Sequence, residues 1–257
     1  MHTRRVVGTA VGAFALWTAA TWLLEGRIEA LRRPDAALDR AIYALVANLL
    51  IGLALGMLIL RRWRDDSMDP GRSGFGSGRR SAAWIAVGAV AGLAFYRIQG
   101  TPSTHPVVIL NAFAQVFVVS AAEVLVCWAL VGRAVEAALG SRGRATALAV
   151  AAIVASLSFG IYHFAHSPPF NTWRMVALLS VVGLATSAFF FLSRDVAGTI
   201  VFHNFLGTFG VVQALRAAGS LAAFEQPQPA LLMTAVVTSA VLAGGYYWLR
   251  RDVRRTA

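Results

Sequence analysis

The sequence predicts an all-α fold, a polytopic bundle of about eight transmembrane helices, and three observations carry that expectation. Of the 257 residues 58% are hydrophobic, and only 14% are charged, where a soluble domain carries about 25%. Apolar stretches of 18 or more residues recur along the whole chain, the length a helix needs to cross the hydrocarbon core. The basic residues gather at the ends of those stretches, as topogenic charges do.

Taken in order, the spans are expected at 6–24, 41–60, 82–98, 107–132, 145–166, 174–193, 196–215 and 229–249. Met1-His2-Thr3-Arg4-Arg5 before the first apolar run resembles a signal sequence. The run is too long for the apolar region of one, and more spans follow, so a retained first helix is expected. The segment 25–40 mixes Arg27, Arg32, Arg33 and Arg40 with Glu25, Glu29, Asp35 and Asp39. It reads as a loop or a short interfacial helix, with Ile28, Leu31 and Leu38 toward lipid. Residues 65–81, with Gly71, Gly74, Gly76 and Gly78 among serines and arginines, read as a flexible cytoplasmic linker. The expected organisation is therefore two N-terminal helices in 1–64, the linker 65–81, and a six-span body in 82–257. No internal repeat is seen, and no extramembrane segment is long enough to bury a soluble core.

The net charge of +11 comes from 23 basic residues, all of them Arg. In a soluble chain this would suggest nucleic acid. At the ends of apolar runs it points instead to topology and anionic lipid, so no nucleic-acid partner is expected. Placing the N-terminus in the cytoplasm puts sixteen of the 23 arginines inside and seven outside. Both termini are thus expected in the cytoplasm of a multi-pass cell membrane protein, of the bacterial inner membrane type. The single cysteine, Cys127, excludes an intramolecular disulfide and any multi-cysteine metal site; it reads as a packing residue. Trp63, Trp84, Trp173, Tyr246, Tyr247 and Trp248 read as an aromatic belt.

Polar groups inside the apolar stretches carry the functional signal. Glu123 is the one carboxylate expected within a span, where a charge costs about 2.5–3.5 kcal/mol even on insertion scales. Such a group faces a protein interior, takes up a proton or finds a partner. His163, closing the fifth span, and His203, in the seventh, are the candidate partners. A carboxylate and a histidine are the minimal set for drawing a proton from water, and a further histidine can donate to a developing oxyanion. The same three residues could hold a divalent metal, because two histidines and a carboxylate make an open coordination set. Each also has an ordinary reading, as a helix-to-helix hydrogen bond or a satisfied core histidine. His166, beside Pro168 and Pro169, reads as interfacial; His105 and His2 have no partner in view. With equal spans, Glu123, His163 and His203 would differ in depth by about 10–20 Å at 1.5 Å per residue.

The run Glu123-Val124-Leu125-Val126-Cys127-Trp128-Ala129-Leu130-Val131-Gly132-Arg133 resembles the Glu-Glu-x-x-x-Arg-Gly helix of the CAAX protease and bacteriocin-processing family of intramembrane proteases. Phe159-x-x-x-His163 is similar to that family's second motif. The turn Ser193-Arg194-Asp195 leading to His203 is similar to its third. The resemblance covers about 107–215. It implies a glutamate-dependent endopeptidase acting on a membrane-associated peptide or protein, with no cofactor required and a divalent metal possible. It further implies that Glu123 activates water, that His163 shares the proton, and that His203 helps form the oxyanion site. Val124 stands where the second Glu belongs, Trp128 where the Arg belongs, and Gly207 where a polar group follows the histidine. Those three differences motivate an alternative, a catalytically inactive relative that binds a peptide or membrane-protein partner. A proton-coupled carrier is a third class, and it would ordinarily show repeats.

Overall fold

The computed structural model describes residues 2–29, 36–65 and 74–250. Among the described residues eight helices are long and apolar enough to cross a membrane: α1 Thr3–Gly26, α2 Leu38–Trp63, α3 Gly78–Ile98, α4 Pro106–Ala138, α5 Arg144–Ala165, α6 Trp173–Ser193, α7 Val196–Ala217 and α8 Pro229–Arg250. Among the described residues there is no strand. The chain is an all-α, multi-pass membrane protein, as its composition predicts. Large apolar side chains such as Leu50, Val90, Leu184 and Val236 remain exposed, which in a bundle of this kind is the face lipid covers.

The helix starts follow local chemistry. Ser77, Thr172 and Asp195 cap α3, α6 and α7, accepting from the backbone N–H of Arg80, Met175 and Gly198 at 3.3, 3.4 and 2.8 Å. Such a cap is worth about 1 kcal/mol. Pro106 and Pro229 open α4 and α8, where a missing N–H costs nothing. Between α6 and α7 only Arg194 and Asp195 intervene, with Arg194 in the left-handed region at φ 52°.

Several boundaries differ from the expected ones. The fourth span runs 33 residues, to Ala138, rather than ending at 132. The first runs to Gly26, so Glu25 lies inside it and not in a loop. Of the linker, 66–73 fall outside the described residues, while 78–81 already belong to α3. The interfacial helix expected over 25–40 lies partly outside the described residues, Leu31 included. Trp63 is buried instead of standing in an aromatic belt.

The helices group into two compact units, each made of two chain segments: Met1–Gly74 with Ala122–Arg194, and Phe75–Ala121 with Asp195–Ala257. A division at 65–81 would set α1 and α2 apart, whereas the packing places them with the second half of α4 and with α5 and α6.

In the first unit, α4 from Val124 to Gly132 is enclosed on all sides, and its turns widen to π-type hydrogen bonding there. The indole of Trp128 donates to Ser187 Oγ at 2.7 Å, and Ser187 is bonded to Ser156 Oγ at 2.8 Å and to the Ala152 carbonyl at 3.0 Å. Small residues let α5 and α6 approach: a Cβ on Gly183 would meet Ser156 at 3.0 Å, the kind of contact that substitutes for hydrophobic drive in lipid. At the end of α4, Glu136 receives two hydrogen bonds of 2.7 Å from Arg194 and a further one from Arg133.

In the second unit, α3 and α7 meet through glycines, Gly88 and Gly198 among them, with Trp84 against Gly198 and Phe205 against Gly92. Asp195 accepts from Ser81 Oγ at 2.5 Å, and Ser81 also meets the Tyr246 hydroxyl at 2.6 Å. Asn111 donates to the carbonyls of Phe224 and Gln226 at 2.9 and 2.8 Å, tying α4 to the connection before α8.

Candidate functional site

The site is built at the end of α5, where the helix gives way. Regular turns stop at Tyr162, His163–Ala165 tighten into a 3₁₀ turn, and His166 is extended at φ −92°, ψ 167°. This change of pitch brings His163 and His166 together: their rings stack at 5.2 Å with 30° between planes.

His163 is 7% exposed and Glu123 4%, and the imidazole Nε2 lies 3.7 Å from the carboxylate Oε1. The other ring nitrogen, Nδ1, lies 2.8 Å from the Phe159 carbonyl one turn back. A carbonyl only accepts, so Nδ1 carries a hydrogen, and Nε2 is the ring nitrogen turned toward Glu123. The spacing Phe159-x-x-x-His163 thus has a mechanical meaning, since residue i supplies the acceptor that sets the tautomer of residue i+4. At 3.7 Å the pair is wider than a direct hydrogen bond and close enough to close onto a shared proton or one bridging water.

The depth difference expected for Glu123 and His163 disappears because α4 is longer than expected. Its additional six residues, 133–138, lengthen it by about 9 Å beyond Glu123, which puts Glu123 near the middle of the helix, within 3.7 Å of His163.

A second carboxylate was missed by the sequence reading. Glu25, in the last turn of α1, has no exposed surface. It accepts from the Ser167 N–H at 2.9 Å and the Ser167 hydroxyl at 2.5 Å, and His166 Nδ1 lies 3.0 Å from its Oε2. That last contact has ion-pair distance without aligned hydrogen-bond geometry, and His166 Nε2 is buried with no hydrogen-bond partner among the described residues. His166 is therefore not interfacial: it is 6% exposed and packed between His163, Tyr162 at 4.9 Å and Tyr43 at 5.9 Å. The signal for Glu25 was present in the sequence. Trp17, Thr21 and Glu25 recur every four residues, one face of a helix, and all three are fully enclosed. Trp17 stacks on Tyr162 at 3.6 Å, and the Tyr162 hydroxyl meets those of Thr21 and Tyr43 at 3.1 and 3.3 Å.

His203 belongs to the second unit, where it is 3% exposed on α7. Its neighbour Asn204 donates to the Phe113 carbonyl at 2.9 Å, so that amide serves packing. Gly207 lies against Val116, which leaves no room for a longer side chain there without displacement. Cys127 is fully buried, in keeping with a packing role. Among the described residues no three of His, Cys, Asp and Glu gather in an arrangement that would hold a metal ion.

Comparison with protein-family models, with curated proteins and with solved structures gives no match to this chain.

Proposed function

We propose that this chain is an intramembrane endopeptidase of the kind its motifs resemble, hydrolysing a peptide bond of a membrane-associated substrate with water activated by Glu123 and His163. The observation that carries the reading is the enclosed contact at 3.7 Å between Glu123 Oε1 and His163 Nε2, with Nδ1 of the same ring held by Phe159. A carboxylate beside an imidazole of fixed tautomer can take one proton from water and hold it between them as the oxygen attacks the carbonyl carbon. The resemblance assigns His203 the role of oxyanion donor; the Glu123–His163 reading stands without it. Arginine placement supports both termini in the cytoplasm.

The test is cleavage by purified protein in lipid vesicles. Glu123→Gln and His163→Ala are expected to lower the rate by at least about 100-fold while membrane abundance and thermal unfolding stay unchanged. Full activity in Glu123→Gln contradicts the proposal. The metal content of the purified protein separates metal-free from metal-dependent chemistry.

One observation favours a second reading, a non-catalytic relative that binds a peptide partner. At the two α4 positions where the resembled family carries Glu and Arg, Val124 and Trp128 are wholly buried, and Trp128 is committed to Ser187. On that reading, substitutions at Glu123 change stability or partner binding, and no cleavage occurs at all.

A further inference from the structure

We propose that Glu25 and His166 form a second proton-transfer pair beside Glu123 and His163, and that it donates the proton the departing amine requires. This rests on the peptidase reading above and extends it to the second half of the reaction.

Three independent features converge on the pair. Glu25 is fully enclosed, its oxygens accept from the Ser167 N–H and hydroxyl, and His166 Nδ1 stands 3.0 Å from Oε2. His166 Nε2 is buried without a hydrogen-bond partner among the described residues. An unpartnered buried polar atom is destabilising, a cost that a purely structural ion pair has no reason to carry. The His166 ring also stacks on His163 at 5.2 Å, so two bases, each with its own carboxylate, stand side by side. The pair is held rigidly. Trp17 and Thr21 fix α1 against Tyr162, and Gly26 lies so close to the Ala165 carbonyl that any Cβ would collide with it.

The division of labour follows from hydrolysis itself. Water attacks the peptide carbonyl carbon and gives one proton to the Glu123–His163 pair, forming the new C–O bond. As the C–N bond breaks, its electron pair goes to nitrogen, which takes a proton from His166 Nε2. The products are a carboxylic acid, keeping the water oxygen and its second proton, and an amine. The proton held by Glu123 and His163 then restores His166. Glu25 holds the His166 ring in place before and after the transfer without touching the substrate; it is a positioning residue, while His166 is the proton donor.

The experiment compares leaving groups. A fluorescent apolar peptide of about 20 residues, long enough to span the bilayer, is incorporated with the protein into vesicles. The cleaved bond is mapped by mass spectrometry, and the peptide is then remade with a thioester at that bond. A thiolate departs without protonation, whereas an amine does not. Glu25→Gln and His166→Gln are expected to slow amide cleavage by at least about 100-fold and thioester cleavage by no more than about tenfold. The amide-to-thioester ratio within each variant is insensitive to partial loss of folded protein. Equal losses on both substrates, or no loss on either, overturn the proposal. Activity lost in Glu123→Gln but intact in His166→Gln overturns this inference alone. An unaltered protein that cleaves neither substrate overturns both this inference and the peptidase reading.

Discussion

Glu136 and Glu123 lie on the same helix, thirteen residues apart, and solve the problem of a carboxylate in an apolar span in opposite ways. Glu136 is gripped by Arg194 through two hydrogen bonds of 2.7 Å and by Arg133 as well. Arginine does not give up its proton, so this cluster is an electrostatic clasp that fastens α4 to the turn after α6. Glu123, like Glu25, faces a histidine instead. Histidine exchanges its proton near neutral pH, so these carboxylates sit in clusters that can do chemistry. The partner, and not the carboxylate, decides which role the site has.

That contrast can be broken directly. Replacing His163 by Arg would give Glu123 the same kind of partner that Glu136 has. Cleavage in vesicles is expected to fall by at least about 100-fold, although charge compensation is kept. The reciprocal change, Glu136→Gln, is expected to leave the cleavage rate unaltered and to cost about 1.5–3 kcal/mol in stability, the worth of hydrogen bonds to charged groups. Reversible unfolding in detergent reads that loss, and the double variant with Arg194→Met should lose less than the sum of the two single changes. The smallest effect belongs to a neutral bond in the same unit. Ser156→Ala removes the hydroxyl bonded to Ser187 and to the Ala152 carbonyl and should lower stability by about 1 kcal/mol, again without touching cleavage.

The fold was largely legible because its signal is repeated along the chain. Each apolar stretch is independent evidence for a span, and errors of a few residues at the ends do not alter the count. The candidate site was legible only in part. Glu123 and His163 stood out because each interrupts an apolar run, and the Phe159-x-x-x-His163 spacing carried its own mechanical reason. Glu25 stands among charged neighbours that mark the end of an apolar run as a loop, although its four-residue register with Trp17 and Thr21 continues the buried face of the helix. His166 was read as a surface group because Ser167, Pro168 and Pro169 follow it, yet the backbone leaves the helix at that point and turns the ring inward against His163 and Tyr162. Local pattern does not record where a chain goes after a helix ends, and that is where half of the site lies.

The most direct measurement is the cleavage rate of Glu123→Gln beside Glu136→Gln, in vesicles of matched protein content. At least about a 100-fold loss is expected in the first and an unchanged rate in the second. A Glu123→Gln protein that cleaves at the unaltered rate would contradict the peptidase reading.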